Sequence, residues 1–389
     1  MSSIVTLCLS AGIQKTISFD SLKTGAVNRS RSYIFDAAGK AVNSARVLVQ
    51  LMEADDTASK RKDSGTAAFQ TSSGNKASDA FKAPAAPDDI TLICPLGKKN
   101  ADFFLQLAAR DGLNPEAVLI PGYTRECCTL LDDATGEVTE LVVEEPAPEG
   151  DAPVSDLLFT LRSVLARASA FSKLEDSGSA SESGCDNKAS VSCKTAGALP
   201  RTALLFAGSR PAFWPKDVIT QIALAAKKAG ALFMADFRGN DLLSLLPAST
   251  DKASSAFKAC APALTPDIIK INEAEFRETF MRSEKAAGCA ASTGDAGDLV
   301  AAICEKSREL GNIIVVTRGA DSTLAADRGT LYECVSEKVH AVNTIGCGDS
   351  FNAGFLYEYM TSGNVETALK KGTWCAARNA GQLSPGTIR

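Results

Sequence analysis

Short, almost entirely apolar runs recur along the chain, and amphipathic stretches of helical period lie between or after several of them. The runs have the length of buried strands and cover residues 3–10, 90–96, 202–209, 231–237, 267–272 and 312–319. The amphipathic stretches repeat apolar residues every three to four positions and cover residues 154–168, 216–230, 298–312 and 365–381. Strands that alternate with helices of this length predict a parallel α/β sheet, which binds its ligands at the carboxyl ends of the strands.

A second pattern alternates polar and apolar residues over four short stretches. These are residues 16–22, 29–35, 124–133 and 136–145. Such alternation is typical of strands with one solvated face, so we predict a small separate sheet, a lid formed by about 14–37 and 121–145.

Two segments are rich in Ser, Ala, Gly, Lys and Asp and contain few apolar residues, namely 54–89 and 172–197. They have little apolar surface to bury. We therefore predict one domain over 1–389 with a β lid and two mobile insertions.

Composition excludes several classes of function. The net charge of −5 disfavours a nucleic-acid partner, because the phosphate backbone requires a basic surface. No run approaches the roughly 18 apolar residues of a membrane span, and the N-terminal residues lack a positive signal-peptide start. We expect a cytoplasmic protein with no membrane partner. The twelve cysteines form no C-x-x-C pair, so no zinc framework is expected. His340 is the only histidine and lies in a strand-like run, which disfavours histidine-dependent catalysis.

The stretch GCGD at residues 346–349 precedes a helix that carries aromatic residues every four positions over 351–359. Gly346 and Gly348 permit a tight turn, and the helix start offers free N–H groups and a positive dipole end. Together they predict an anion site with the Asp349 carboxylate beside it. The alternative is a glycine turn that Asp349 caps.

Cys347 lies between the two glycines. A thiol at a helix start is expected to have a lowered pKa and to oxidise readily. The alternative is that only the backbone at this position is used.

Two further polar motifs follow strand-like runs. Asn272 and Glu275 come directly after the strand DIIKI and could hold a metal-bound water near phosphates, or form a capping box. Thr317, Gly319 and Ala320 form a strand-to-turn exit suited to backbone contact with a nucleotide, although an ordinary loop has the same pattern.

The order of these motifs resembles the PfkB family of carbohydrate kinases, which have the ribokinase-like fold. N-x-x-E, T-R-G-A and G-x-G-D follow strands in that order. Residues 5–48 are similar to the opening of the 1-phosphofructokinase and tagatose-6-phosphate kinase branch, and residues 122–149, 204–215 and 379–388 are similar to its lid, its glycine turn and its closing segment. The resemblance implies a three-layer αβα sandwich with a mainly parallel central sheet and a small β-sheet lid.

The resemblance also implies an ATP-dependent kinase. Asp349 would be the base that takes the proton of the acceptor hydroxyl, and the backbone of Gly346, Cys347 and Gly348 would hold the transferring phosphoryl group. ATP would contact the motifs at residues 317–320 and 272–275, with Mg²⁺ held by Glu275 through water.

The acceptor side departs from the branch. Gln14 stands where the branch has an Asp that accepts hydrogen bonds from sugar hydroxyls, and Ala38 and Ala41 replace two glycines of its G-G-K-G-x-N motif. Other candidates to bind substrate hydroxyls or a phosphate are Gly39, Lys40, Asn43, Arg29 and Arg125.

A kinase acting on a sugar phosphate is therefore the favoured hypothesis. Two alternatives stay open, a non-catalytic ligand-binding or regulatory protein and a kinase for a nucleoside or an unphosphorylated sugar. The lids of the family often pair between subunits, so the resemblance also implies a homodimer through the lid.

Overall fold

In the computed structural model, which describes residues 2–63, 89–144, 150–178, 199–247, 264–281 and 296–389, nine strands form a central sheet. Their spatial order is β13 (Thr330–Cys334), β12 (Thr323–Asp327), β11 (Ile313–Thr317), β10 (Ile268–Asn272), β9 (Leu232–Asp236), β8 (Thr202–Ala207), β1 (Ser3–Leu7), β4 (Ile90–Gly97) and β5 (Glu116–Ile120). The strands from β11 to β5 are all parallel. At the other edge, β12 is antiparallel to β11, and β13 is antiparallel to β12. Each of the six apolar runs contains one parallel strand, as predicted.

Helices cover both faces of this sheet. One layer contains α1 (Lys40–Asp63), α2 (Ala101–Arg110), α8 (Cys347–Ser362) and α9 (Val365–Ala380). The other contains α3 (Val154–Gly178), α4 (Val218–Lys228), α5 (Gly239–Leu243) and α7 (Ala296–Leu310). The short α6 (Glu273–Phe276) and a π-helix (Arg277–Met281) follow β10. The three-layer αβα sandwich is thus confirmed.

The core is apolar on both faces of the central strands. All residues of β1, β8 and β9 are buried, as expected for parallel strands covered by helices. Phe206 and Phe233 are fully buried, and each such side chain stabilises the fold by roughly 1.5–3 kcal/mol. Two charged residues, Asp236 and Lys270, interrupt this apolar sheet.

The predicted lid is also present. Its strands in spatial order are β3 (Ser32–Ala38), β2 (Gly12–Phe19), β6 (Arg125–Asp132) and β7 (Glu137–Leu141). The chain enters β2 directly after the carboxyl end of β1 and enters β6 shortly after that of β5. The lid sheet therefore lies beside the carboxyl ends of the central strands, where ligands bind in such sheets.

The two predicted insertions fall largely outside the described residues. Helix α1 extends to Asp63, so its last ten residues belong to the segment 54–89, and α3 extends to Gly178, within the segment 172–197. Residues 64–88 and 179–197 lie outside the described residues, so the role of both segments stays a prediction. Within the described ranges, no helix is long and apolar enough to cross a membrane.

Candidate active site

A cleft of about 640 Å³ lies between the lid and the carboxyl ends of the central strands. It brings together twelve of the residues predicted from the sequence: Gln14, Gly39, Lys40, Asn43, Arg125, Asn272, Glu275, Thr317, Gly319, Gly346, Gly348 and Asp349. Three predicted residues do not line it, namely Arg29, Ala320 and Cys347. Arg29 and Ala320 are exposed and do not line the cleft. In the turn after β11, Gly319 lines the cleft and Ala320 does not.

The glycine loop takes the backbone shape that the sequence predicts. Gly346 has φ 81° and is the N-cap of α8, a conformation that favours glycine. A Cβ there would lie 2.9 Å from the Gly386 backbone nitrogen. A Cβ on Gly348 would lie 2.9 Å from Nζ of Lys270. The positive end of α8 and a lysine ammonium group therefore meet at one loop, which is suited to an anion.

Asp349 lies in the first turn of α8 and does not cap it, since the N-cap is Gly346. Its carboxylate Oδ2 accepts a hydrogen bond of 2.8 Å from Nδ2 of Asn43. Burial raises the pKa of Asp349, an effect that Lys40 opposes and Asp236 reinforces. A buried carboxylate with a raised pKa and a fixed donor is typical of a general base.

A buried ionic cluster supports this site, and sequence analysis missed its centre. Asp236, at the end of β9, is fully buried. Lys40 Nζ lies 3.1 Å from its Oδ1, Lys270 Nζ lies 3.4 Å from its Oδ2, and Asn352 Nδ2 donates to Oδ2 at 2.6 Å. Burial by itself would raise the pKa of Asp236, but the two lysines and Asn352 lower it to about 2. Asp236 in turn raises the pKa of Lys40, so the cluster stays charged.

A sequence signal for this cluster existed. Asp236 and Lys270 are charged residues inside otherwise apolar strand runs, and such residues are almost never fully buried unless paired.

Asn272 and Glu275 form the capping box that was the alternative to a metal-water role. The Asn272 side chain accepts from the Glu275 N–H at 2.9 Å, and Glu275 Oε2 accepts from the Asn272 N–H at 3.0 Å. The second Glu275 oxygen lies 3.9 Å from Nε of Arg238. Both residues also line the cleft, so capping and ligand contact are compatible.

The lid and the start of α1 form one side of the cleft, where the sequence predicts the acceptor. Gln14 is buried and donates from Nε2 to Oγ1 of Thr129 at 2.8 Å. Gly39 has φ 133°, and a Cβ there would lie 3.1 Å from the Ser10 carbonyl oxygen. Arg125 begins β6 opposite Gly12. Three lid residues that the sequence did not indicate also line the cleft, namely Cys127, Glu140 and Val142.

The hypothesis that the Cys347 thiol has a lowered pKa is wrong. Burial raises the pKa of this thiol, and the nearby Asp349 carboxylate adds to that effect. The Asn379 side chain donates to its sulfur at 3.4 Å, which opposes the shift without reversing it. The Cys347 N–H closes a turn with the Thr344 carbonyl oxygen at 3.3 Å.

Comparison with known proteins agrees with this fold. A stretch of 64 residues is 44% identical to 2-dehydro-3-deoxygalactonokinase of Haloferax volcanii, covering 16% of this chain and 20% of that protein. The chain thus matches about a fifth of the length of this curated relative.

Two solved structures show the same fold along nearly the whole chain. Phosphofructokinase-2 from Escherichia coli in complex with fructose-6-phosphate has a TM-score of 0.65 at 17% identity, over 98% of this chain and 94% of that one. A possible 1-phosphofructokinase from Thermotoga maritima has a TM-score of 0.64 at 14% identity, over 98% and 93%. The ribokinase-like fold is therefore confirmed.

A family model matches the part of the chain that contains the glycine loop at residues 346–348. Residues 199–388 match the model of the pfkB family carbohydrate kinases. This range contains the buried cluster at Asp236 and Lys270, the capping box at Asn272, and the loop that ends in Asp349. Residues 199–388 are a pfkB family carbohydrate kinase domain.

Proposed function

We propose that this protein is an ATP-dependent kinase that transfers the γ-phosphoryl group to a hydroxyl of a sugar phosphate. The single observation that carries the proposal is the position of Asp349. Its buried carboxylate lies at the helix start, in the cleft that Gly346 and Gly348 also line, and burial raises its pKa. A base and an anion site in one cleft are what phosphoryl transfer requires.

Asp349 would accept the proton of the acceptor hydroxyl as the oxygen attacks. Its Oδ2 is occupied by the Asn43 amide, so we assign the proton to Oδ1. A positioned base of this kind accelerates a reaction roughly 10²–10⁴-fold. The proposed general base is thus held by α1 from one side and by α8 from the other.

The loop at residues 346–348 and Lys270 would hold the transferring phosphoryl group. Backbone N–H groups and a lysine stabilise the charge that develops there, and removing one such donor typically costs about 10²–10³-fold in rate. Asp236 pairs with Lys270 at 3.4 Å, so the lysine side chain is held beside the loop before the substrates bind.

The nucleotide would lie along Thr317 and Gly319, which line the same cleft. Within the described ranges, no group of three or more His, Cys, Asp or Glu side chains could hold a metal ion directly. Mg²⁺ usually keeps several waters and binds through one or two carboxylates together with substrate phosphates. Glu275 fits this use, since one of its oxygens lies outside the capping box, and Mg²⁺ bound there would neutralise phosphate charge.

The acceptor would carry a phosphate group. Arg125 and Lys40 line the acceptor side of the cleft, and cations there favour a phosphate through charge-assisted hydrogen bonds. Gln14 replaces the carboxylate that the branch uses for sugar hydroxyls, so sugar preference should be shifted or relaxed. The Haloferax volcanii relative is named for an unphosphorylated sugar acid, which keeps that class of acceptor as the second candidate.

The test is a coupled assay of ATP turnover across sugar phosphates, unphosphorylated sugars, sugar acids and nucleosides, run on wild type and Asp349→Asn. We expect the highest kcat/KM with a sugar phosphate and loss of that turnover in the variant. Turnover of only unphosphorylated compounds would reassign the acceptor. Absence of turnover with every class would favour the non-catalytic alternative.

We also propose that two copies pair through their lids. The lid carries exposed apolar side chains at the end of β7 and beyond, namely Leu141, Val142 and Val143, and apolar patches of this kind mark interaction sites. Sedimentation of wild type and Val142→Asp tests this. A monomeric wild type would contradict it.

A further inference from the structure

Arg46 is a buried cation on α1 that lies just behind the cleft and does not line it. Its guanidinium group donates to four different parts of the chain. Nε donates to Oδ2 of Asp111 at 2.9 Å, Nη1 to Oδ1 of Asn43 at 3.2 Å and to the Pro385 carbonyl at 2.7 Å, and Nη2 to the Ala37 carbonyl at 2.5 Å. A guanidinium with five donors in a fixed fork suits such a junction.

These contacts decide which way the Asn43 amide faces. A guanidinium can donate hydrogen bonds but cannot accept them, so the atom of Asn43 that faces Arg46 must be its oxygen. The amide NH₂ then faces Asp349, at 2.8 Å from Oδ2. If the amide were rotated, its oxygen would face a carboxylate oxygen and its NH₂ would face a guanidinium, and both contacts would be repulsive.

We propose that Arg46 is a positioning residue for the general base: it fixes the Asn43 amide so that Asn43 donates to Asp349. This inference rests on the proposed phosphoryl transfer. Arg46 itself touches neither the acceptor nor the phosphates. It acts through Asn43, and loss of its contact would leave the amide free to rotate and to stop stabilising the ionised carboxylate.

Arg46 also joins the lid to the C-terminal turn, which contains Pro385 and Gly386. Ala37 lies near the end of lid strand β3, which leads through Gly39 into α1. On the other side, a Cβ at Gly386 would lie 2.8 Å from the Asn43 carbonyl oxygen and 3.0 Å from Nη1 of Arg46. The C-terminal turn therefore packs directly on this pair, and the position of Arg46 is fixed from three directions.

Asp111 balances the charge of Arg46 and is shared with a second arginine, Arg110, which makes no hydrogen bond to Asn43. Asp111 also accepts from Nε of Arg110 at 3.0 Å, and Arg110 Nη2 donates to Oδ1 of Asp36 in β3 at 2.7 Å. Arg110 is half exposed. It offers a matched control, because Arg110→Gln alters the same ionic network without touching the contact between Arg46 and Asn43.

Three other charged groups lie around Asp349. Lys40 on α1, Asp236 on β9 and Lys270 on β10 all act on its pKa, and none of them contacts Arg46. An effect of Arg46 on the carboxyl group should therefore depend on Asn43.

The kinetic test is a double-mutant cycle with Arg46→Lys and Asn43→Ala, assayed with ATP and the best acceptor found. We expect Arg46→Lys to lower kcat about tenfold or more, a part of what a positioned base supplies, with the KM for ATP within about twofold. In the Asn43→Ala background the same change should alter kcat less than about twofold. Equal effects in both backgrounds, or equal loss in Arg110→Gln, would overturn the proposal.

A second measurement does not need turnover. In protein labelled with ¹³C at aspartate carboxyls, the Asp349 resonance is identified by its absence in Asp349→Asn. Arg46→Lys should raise the observed Asp349 pKa by at least about half a unit, because the charged form loses a donor. Arg110→Gln should leave it unchanged. If Arg46→Lys does not fold, Asn43→Ala must show the same rise, and an unchanged pKa there would overturn the inference. An inactive wild type would instead contradict the proposed kinase function and leave this titration as the test of Arg46.

Discussion

Lys270 and Asp236 form a buried ion pair between neighbouring strands, with Nζ 3.4 Å from Oδ2. Asp236 is also bound by Lys40 and Asn352, so three donors compensate one fully buried carboxylate. Buried ion pairs are poor evidence of stability by themselves. Both lysines also line the cleft, so we propose that the cluster serves the site.

Asp236→Asn should destabilise the protein strongly, because it leaves two lysines facing a neutral amide in the sheet. Removing one partner of a buried pair typically costs about 3–5 kcal/mol. Urea unfolding of the variant measures this. Asp241→Asn, at a partly exposed ion pair with Arg210, is the control and should cost less than about 1 kcal/mol. Equal losses at the two positions would show that the cluster carries no special stability.

The lowered pKa of Asp236 predicts how the stability of the protein depends on pH. Its pKa in the folded protein is about 2, below the ordinary value of 3.8, so its contribution is present above the unfolded pKa and is lost as the pH falls through the folded pKa. About 2 kcal/mol of unfolding free energy should therefore disappear between about pH 4 and pH 2. The unfolding free energies of wild type and Asp236→Asn should approach each other by this amount over the same window. A constant difference down to pH 2 would contradict the prediction.

Much of the fold could be predicted because its signals are local. The apolar runs that became β1, β8 and β9 and the glycine loop before Asp349 are contiguous in sequence. The buried cluster could not be predicted in the same way, because its members come from strands and helices far apart in the chain. Arg46 was missed for that reason, since its partners at Asp111 and Pro385 lie 65 and 339 residues away.

Asp349→Asn should abolish phosphoryl transfer and leave nucleotide affinity nearly unchanged. The amide keeps the shape of the carboxylate but cannot take the hydroxyl proton.

Because burial raises the pKa of Asp349, ionisation of this group destabilises the folded state as the pH rises through the folded pKa. The variant should therefore melt at the same or a higher temperature at neutral pH. Calorimetric ATP titration and thermal unfolding check both parts, with the exposed Asp102→Asn as control. Turnover within threefold of wild type would remove Asp349 from the mechanism.

Gly348→Ala should lower kcat by about tenfold or more without unfolding the protein. The added Cβ would lie 2.9 Å from the Lys270 ammonium group. That group must therefore move away from the loop at residues 346–348. A lost donor at such a site costs about 10²–10³-fold, and a displaced one should cost part of that. Gly297→Ala, in the first turn of α7 with nothing within 4 Å of the new Cβ, is the matched control. Full activity in Gly348→Ala would show that the loop and Lys270 do not hold the phosphoryl group together.

Arg125→Ala should raise the KM for the phosphorylated acceptor and leave the KM for ATP unchanged. Arg125 lines the cleft on lid strand β6, next to Gly12 of β2. A hydrogen bond to a charged group contributes about 1.5–3 kcal/mol, which corresponds to a rise in KM of about tenfold or more. Arg125→Lys should recover only part of this loss, because a lysine cannot form the bidentate contact of an arginine.

The matched control for Arg125 is Arg29→Ala. Arg29 is exposed and lies outside the cleft, so its removal changes the net charge of the protein equally without touching the proposed phosphate site. Initial rates at varied acceptor and fixed saturating ATP separate the two variants. If both raise the acceptor KM equally, the effect is long-range electrostatics, which added salt should abolish. If neither does, Arg125 does not bind the acceptor, and the nucleoside or the non-catalytic hypothesis takes the place of the sugar phosphate.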